Sequence, residues 1–234
     1  MISDNYQSTG NSITMPYAII TGATGGLGKE FAREFSKLGL GLVLIGQDKD
    51  KLASLRLSLS KQTPEIVIIS ANLSSEDGIE YVIKQLEMLD FAPKYLVLNA
   101  GAANYSSFAD MPAELIESCL NLNVNSHVRF TKQVLDKLGR RDECNILFVS
   151  STSSLKYSKN MALYAAAKAY MNTFILSLAN EYRDNPMISF SLAFIGQTNT
   201  GFAARAGIGA HIGIGVDAAK TCKALIRSLL NKQP

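Results

Sequence analysis

Six short apolar runs, separated by longer stretches of helical periodicity, constrain this chain more than any other feature. The runs are Tyr17–Thr21, Gly41–Ile45, Glu65–Ala71, Tyr95–Asn99, Asn145–Ser150 and Ile188–Ala193. They are apolar on both faces, as the strands of a covered parallel sheet must be. Helical patterns fill the gaps at Leu27–Leu38, Lys49–Lys61, Glu76–Leu89, Pro112–Leu138, Met161–Tyr182 and Val216–Leu230. Start signals stand at Asp48, at Ser74/Ser75 and at Asp110, and Gly39 is placed to end the first helix. Such alternation predicts right-handed crossovers and a doubly wound α/β sheet with helices on both faces.

Composition excludes several classes. At 234 residues, 47% hydrophobic and 18% charged, the chain suits one globular domain. We expect residues 1–15, rich in Ser, Asn and Thr, to be a loose tail and 16–234 to be a single catalytic domain. A net charge of +3 is too small to argue for nucleic acid. No apolar run reaches the ~18 residues of a membrane span, and the first residues lack the pattern of a signal peptide. Cys119, Cys144 and Cys222 are scattered without metal-ligand spacing and read as reduced packing residues of a cytoplasmic protein. With only His127 and His211, no metal site is expected.

The first apolar run enters a glycine-rich turn, Thr21-Gly22-Ala-Thr-Gly-Gly26-Leu-Gly28. Gly22 allows the tight turn, Gly26 lets backbone approach a pyrophosphate, and Gly28 lets the following helix pack against the sheet. The helix N-terminus offers free N–H groups to phosphate. At the end of the second run Gly46 fills the slot where NAD binders carry an acid that holds the ribose hydroxyl, so no carboxylate there repels a 2′-phosphate. Gln47 can donate a hydrogen bond, and Lys49 or Lys51 adds charge. NADP(H) is favoured, with NAD(H) the alternative. Asp48 reads as a helix cap rather than a ribose ligand. The fourth run ends Asn99-Ala100-Gly101, small enough for a flat ring or a ribose to lie against the backbone. Asn99 reads equally as a brace between strands.

The fifth run leads to Ser151, and thirteen residues on comes Tyr164-Ala-Ala-Ala-Lys168, whose ends share one helical face. A hydroxyl, a phenol and an ammonium can thereby surround one reacting carbonyl. Ser150 is the main rival to Ser151. Tyr157 and Tyr170 lack the serine spacing, and His127 reads as a helix-surface or interface residue.

These motifs, in this order, resemble the short-chain dehydrogenase/reductase family in its single-domain NAD(P)-dependent branch, from about residue 16 to residue 230. The wording of Tyr17–Phe35 and of Asn199–Phe202 looks most like bacterial short-subunit reductases, with the acyl and steroid ketone reductases more distant. The resemblance implies a Rossmann-type sheet of six or seven strands and hydride transfer between a nicotinamide cofactor and a ketone or secondary alcohol. Tyr164 would be the general acid, Ser151 the donor to the carbonyl oxygen, and Lys168 the ligand of the nicotinamide ribose that lowers the tyrosine pKa. Asn123 would hold a water behind Lys168, with Asn121 the alternative. The cofactor contacts it implies are Thr21, Gly22, Thr24, Gly26, Leu27, Gly28, Gly46, Gln47, Asn72, Leu73, Asn99, Ala100, Gly101, Tyr164, Lys168, Ile195, Gly196, Thr198 and Thr200.

The departures are Ile195 where Pro is usual, Asn72 where an aspartate is usual, and no seventh strand. Pocket walls are expected from Ala102–Tyr105, Thr152–Met161 and Gln197–Ile212, with Gly201–Gly215 covering the substrate. Two long helices are available for a homodimer or homotetramer contact. A non-catalytic dinucleotide-binding regulator is the alternative function.

Overall fold

The computed structural model describes residues 15–63, 65–90, 92–139, 142–208 and 215–231. Its strands are β1 (Pro16–Thr21), β2 (Gly41–Gly46), β3 (Ile66–Ser70), β4 (Ala92–Leu98), β5 (Cys144–Ser151) and β6 (Ile188–Ile195). The helices are α1 (Gly26–Ser36), α2 (Lys49–Leu59), α3 (Glu76–Met88), α4 (Ala113–Leu120), α5 (Ser126–Lys137), α6 (Ala162–Glu181), α7 (Phe202–Arg205) and α8 (Ala218–Leu230). The strands form one parallel sheet in the order β3-β2-β1-β4-β5-β6. The order reverses between β1 and β4, and the carboxyl ends of those strands form the crevice in which such sheets take ligands.

Alternate residues of each central strand serve opposite layers. Ile19, Val43, Ile45, Leu96 and Leu98 pack with Ile79 and Val82 of α3, Phe130 of α5 and Met171 and Ile175 of α6. Ala18, Ile20, Leu42, Leu44 and Val97 pack with Phe31 and Phe35 of α1, Leu52 of α2 and Ile226 and Leu229 of α8. Each fully buried aliphatic side chain contributes roughly 1.5–3 kcal/mol. The unbroken apolar runs thus reflect a sheet covered on both sides.

Local signals set the helix starts. Asp48 caps α2 by accepting from the Lys51 N–H at 3.0 Å, and Ser75 caps α3 through the Gly78 N–H at 3.2 Å. Gly39 follows α1 with φ +71°, the left-handed form that ends a helix. Asp110 does not start α4. It ends a separate 3-10 turn, and Pro112 is the residue before the first helical turn. The expected single helix Pro112–Leu138 is two α-helices joined by one π turn, Asn121–Asn125. Six strands pair, and no seventh is present among the described residues. Of the expected tail only Met15 is described, packed against the core; the rest lies outside the described residues, as do 209–214 of the covering segment.

Candidate active site

Tyr164 and Lys168 belong to a buried stripe on α6 that continues through Ala167, Met171, Asn172 and Ile175. The three- and four-residue spacing puts all of them on one inward face of the helix. Ser151 is the last residue of β5 and pairs in register with Ile195, the last of β6. The Ser151 hydroxyl accepts from the Ser153 N–H at 3.1 Å and lies near enough to the Tyr164 phenol to favour its ionised form. Ser150 points elsewhere. Its hydroxyl donates to Asn172 Oδ1 at 2.6 Å, and Asn172 Nδ2 donates to Ser154 at 2.8 Å. This lattice pins β5 to α6 and removes Ser150 as a rival.

The Lys168 ammonium donates to the Val149 carbonyl at 3.0 Å and lies 4.7 Å from the Phe148 ring centroid. Burial pulls its pKa down to about 8. Burial likewise pushes the Tyr164 phenol up to about 12, although Ser151 lowers it. The expected lowering of the tyrosine pKa by Lys168 is therefore not met by the chain's own residues. Both side chains lie on the buried face of α6, where desolvation disfavours the charged form of each.

The π turn places the asparagines differently. Asn123 is fully buried, and its Nδ2 donates to the carbonyls of Ala102 (3.0 Å) and Cys119 (2.9 Å). Its Oδ1 has no partner. A Cβ at Gly101 would sit 3.0 Å from that oxygen and 3.4 Å from Lys168 Nζ, so the two atoms face one small space. Asn121 instead donates to the Ser74 carbonyl at 3.3 Å and accepts from Asn125.

The glycine turn closes on the same cleft. Gly22 has φ +63°, and a Cβ there would lie 2.9 Å from Ala100 Cα; one at Gly28 would lie 2.1 Å from the Gly22 carbonyl oxygen. Either side chain would push β1, β4 or α1 out of place. Gly26 is small for a reason the motif did not show, because a Cβ would meet Thr200 at 2.4 Å. No side chain caps the first turn of α1 and no acid stands in it, which leaves its N–H groups free for an anion.

A cavity of about 700 Å³ joins these parts, from Gly22, Gly25, Gly26 and Leu27 past Asn99, Ala100 and Gly101 to Ser151, Tyr164, Lys168, Ile195, Gly196, Thr198 and Thr200. The remaining expected residues do not line it. Thr21 is buried, donating to the Val97 carbonyl (3.2 Å) and accepting from the N–H groups of Asn99 and Ala100 (2.9 and 3.0 Å). Asn99 Nδ2 donates back to the Thr21 carbonyl at 2.9 Å, so its amide braces the switch point. Thr24, Gly46, Gln47, Asn72 and Leu73 sit at or just beyond the carboxyl ends of β1, β2 and β3, away from this cavity. Lys51 forms an ion pair with Asp48 at 2.6 Å, which leaves Gln47 and Lys49 as the donors beside Gly46. Asn72 Oδ1, an expected cofactor contact, accepts from the Ser74 N–H at 3.1 Å in a local turn.

His127 overturns its surface assignment. It is fully buried, with Nε2 2.9 Å from the Ala100 carbonyl and its ring edge-on to Phe148. Burial pulls its pKa down to about 3, and the Lys168 charge pulls the same way. The i,i+4 spacing from Asn123, read on one helix, would have placed it inward. Asn172, likewise unforeseen, falls on the Tyr164–Lys168 stripe. Cys144 is strand packing, as expected.

The model of the family described as short chain dehydrogenase matches residues 16–207. The chain belongs to the short-chain dehydrogenase/reductase family. It is 32% identical over 176 residues to 17-beta-hydroxysteroid dehydrogenase type 3 of Mus musculus, covering 74% of this chain and 57% of that enzyme. It is also 32% identical over 178 residues to very-long-chain 3-oxoacyl-CoA reductase of Anas platyrhynchos, covering 74% and 56%. The matched part is thus little more than half of either enzyme, and both come from the acyl and steroid branch that the motifs set further away. Among solved structures, a short-chain dehydrogenase from Sphingobium yanoikuyae in complex with NADPH superposes with a TM-score of 0.87 at 24% identity, covering 94% of this chain and 86% of that one. This family member therefore carries the family's fold.

Proposed function

We propose that the chain is an NAD(P)-dependent oxidoreductase acting on a ketone or secondary alcohol, in the direction of NADPH-driven carbonyl reduction. One observation carries the reading: Ser151, Tyr164 and Lys168 line the same cavity as the glycine turn at the switch point. The residues present fit a dinucleotide, through an uncapped helix N-terminus and a buried Asn123 oxygen left without a partner beside Lys168. When bound, the reduced nicotinamide supplies a hydride for the carbonyl carbon.

The chain does the rest. The first turn of α1 would hold the phosphates, and the backbone at Ile195 with the hydroxyls of Thr198 and Thr200 would hold the carboxamide end. Ser151 donates to the substrate oxygen and Tyr164 delivers the proton to it. A phenol held near pKa 12 stays protonated at neutral pH, as an acid for reduction must. Lys168 would hold the ribose hydroxyls, and a water on Asn123 Oδ1 would link its ammonium to solvent, the source of the proton that restores Tyr164.

Gly46 at the end of β2 supports NADPH over NADH, as does the NADPH held by the Sphingobium yanoikuyae relative. The names of the two vertebrate relatives support a bulky hydroxy or oxo substrate. The intact Asn123, Ser151, Tyr164 and Lys168 set favours catalysis over a purely regulatory binder. Three free, buried thiols support a reducing compartment, and the exposed Leu120, Tyr170 and Leu176 on α4 and α6 support pairing of two copies. The test is NADPH oxidation across a panel of ketones. Turnover that is lost in Tyr164→Phe supports the reading, and no turnover of any ketone overturns it.

A further inference from the structure

The cavity carries four cations and no acid among its described residues. The cations are Lys156, Lys159, Lys168 and Arg205. Lys168 is buried and bonded to Val149. Arg205 belongs to the cofactor side. Its Nη1 lies 3.4 Å from the Thr200 carbonyl, and Thr200 abuts Gly26 at the head of α1. Lys156 and Lys159 lie elsewhere. They follow Ser151 and precede Tyr164, both are exposed at the cavity mouth, and neither has an ion-pair partner among the described residues.

Their segment is built rather than loose. The Ser106 N–H donates to the Asn160 carbonyl at 3.0 Å, and Asn160 takes the left-handed conformation, φ 62°. The Tyr105 N–H in turn donates to the Ala206 carbonyl at 2.9 Å. Three cavity segments are thereby tied together, with the lysines along one of them. Around Tyr164 pack Met161, Phe202 and Ile208, an apolar wall of the same cavity, which Tyr105 also lines.

Resting on the oxidoreductase reading, we propose that the substrate is an anionic ketone: an apolar body spans the wall, and a carboxylate or phosphate reaches Lys156 and Lys159 at the mouth. The phosphates of a dinucleotide have their own site at the glycine turn, so these two lysines serve the other ligand. Two uncompensated cations beside an apolar wall favour an anion-tipped amphiphile over a neutral ketone of the same body.

The test compares matched substrates: medium-chain oxo-carboxylates, their coenzyme A thioesters, and the corresponding neutral methyl esters. Steady-state kcat and KM are measured for wild type and for the double variants Lys156→Gln/Lys159→Gln, Lys156→Glu/Lys159→Glu and Lys156→Arg/Lys159→Arg. Calorimetric binding of the same compounds to the protein with NADP+ gives a readout independent of turnover. The expected result is an anion-over-ester preference in kcat/KM that falls about tenfold in the Gln pair and further in the Glu pair. It should reside in KM, survive in the Arg pair, and shrink between about 50 and 500 mM salt. A preference for the free acid or for the thioester identifies carboxylate or phosphate as the source, and either supports the proposal. Esters reduced as well as the acids, or an equal loss on both in the Gln pair, overturns it while leaving the oxidoreductase reading in place. Absence of turnover with every compound sinks that reading instead. Calorimetry then decides the anion site alone, and binding of acid no tighter than ester overturns it.

Discussion

Lys168 Nζ is hydrogen-bonded to the Val149 carbonyl, 3.0 Å away, inside a stripe of α6 that buries the ammonium. The folded-state pKa of about 8 lies below the 10.5 of a free lysine, so the charged form is disfavoured by folding. The unfolded chain binds the extra proton between those values, and stability contributed by this group rises as pH climbs from about 8 to 10.5. Lys168→Met should therefore unfold later than wild type at about pH 7, by about 1–3 kcal/mol, once the lost bond to Val149 is subtracted. The gain should fade above about pH 10. Paired urea titrations check this, and the same variant should be inactive. A Lys168→Met variant less stable than wild type at neutral pH would show that the lysine is better solvated than its burial implies.

The Ser151–Tyr164 pair makes a separate kinetic statement. With the phenol near 12, reduction should be independent of tyrosine ionisation through neutral pH and should decline as Lys168 deprotonates above about 8. Tyr164→Phe should lower kcat by about 10²–10⁴-fold while leaving NADPH affinity close to wild type, since the ring and its packing on Phe202 at 5.9 Å remain. Stopped-flow kinetics and a cofactor fluorescence titration separate the two effects. Weakened cofactor binding with unchanged kcat would assign Tyr164 to the cofactor instead of the proton.

Much of this was legible in the chain because backbone geometry forces it. Unbroken apolar strands need two helical layers, and Gly22 and Gly28 sit where a Cβ would strike backbone at 2.9 and 2.1 Å. The buried stripe on α6 was readable because Tyr164 and Lys168 share a helical face. What failed depended on contacts between distant segments. The roles of Thr21 and Asn99 exist only where β1 meets β4, and the π turn that divides the expected long helix has no local signal to announce it. The raised Tyr164 pKa arises from burial, which the spacing of charges along the sequence does not report.

The proposed preference for NADPH rests on Gly46 at the end of β2. A Cβ there would approach Thr24 Oγ1 at 3.3 Å, tight but short of a clash. Gly46→Asp should place a carboxylate where a 2′-phosphate would come and accept a ribose hydroxyl in its stead. The expected change is a shift of the NADPH-to-NADH ratio in kcat/KM by about 10–100-fold toward NADH, about 1.4–2.8 kcal/mol of differential binding. Asp48→Ala should leave that ratio unmoved and cost about 1 kcal/mol of stability, because Asp48 caps α2 and pairs with Lys51. A ratio that follows Asp48 rather than position 46 would relocate the ribose site.

His127 gives the sharpest stability test. Its ring is fully enclosed, its Nε2 faces the Ala100 carbonyl at 2.9 Å, and its pKa is held near 3 against an ordinary 6.5. The native state refuses a proton that the unfolded chain accepts, so stability is complete above about pH 6.5 and is lost as pH falls toward 3, at up to about 1.4 kcal/mol per pH unit. Glutamine at this position can still donate to Ala100 but cannot titrate. His127→Gln should consequently lose less stability than wild type between about pH 6.5 and 4, by about 2–3 kcal/mol. Denaturant midpoints measured across that range decide the matter. Parallel curves for the two proteins would mean that the imidazole gains a proton partner on acidification and that the pocket under Ala100 opens to admit one.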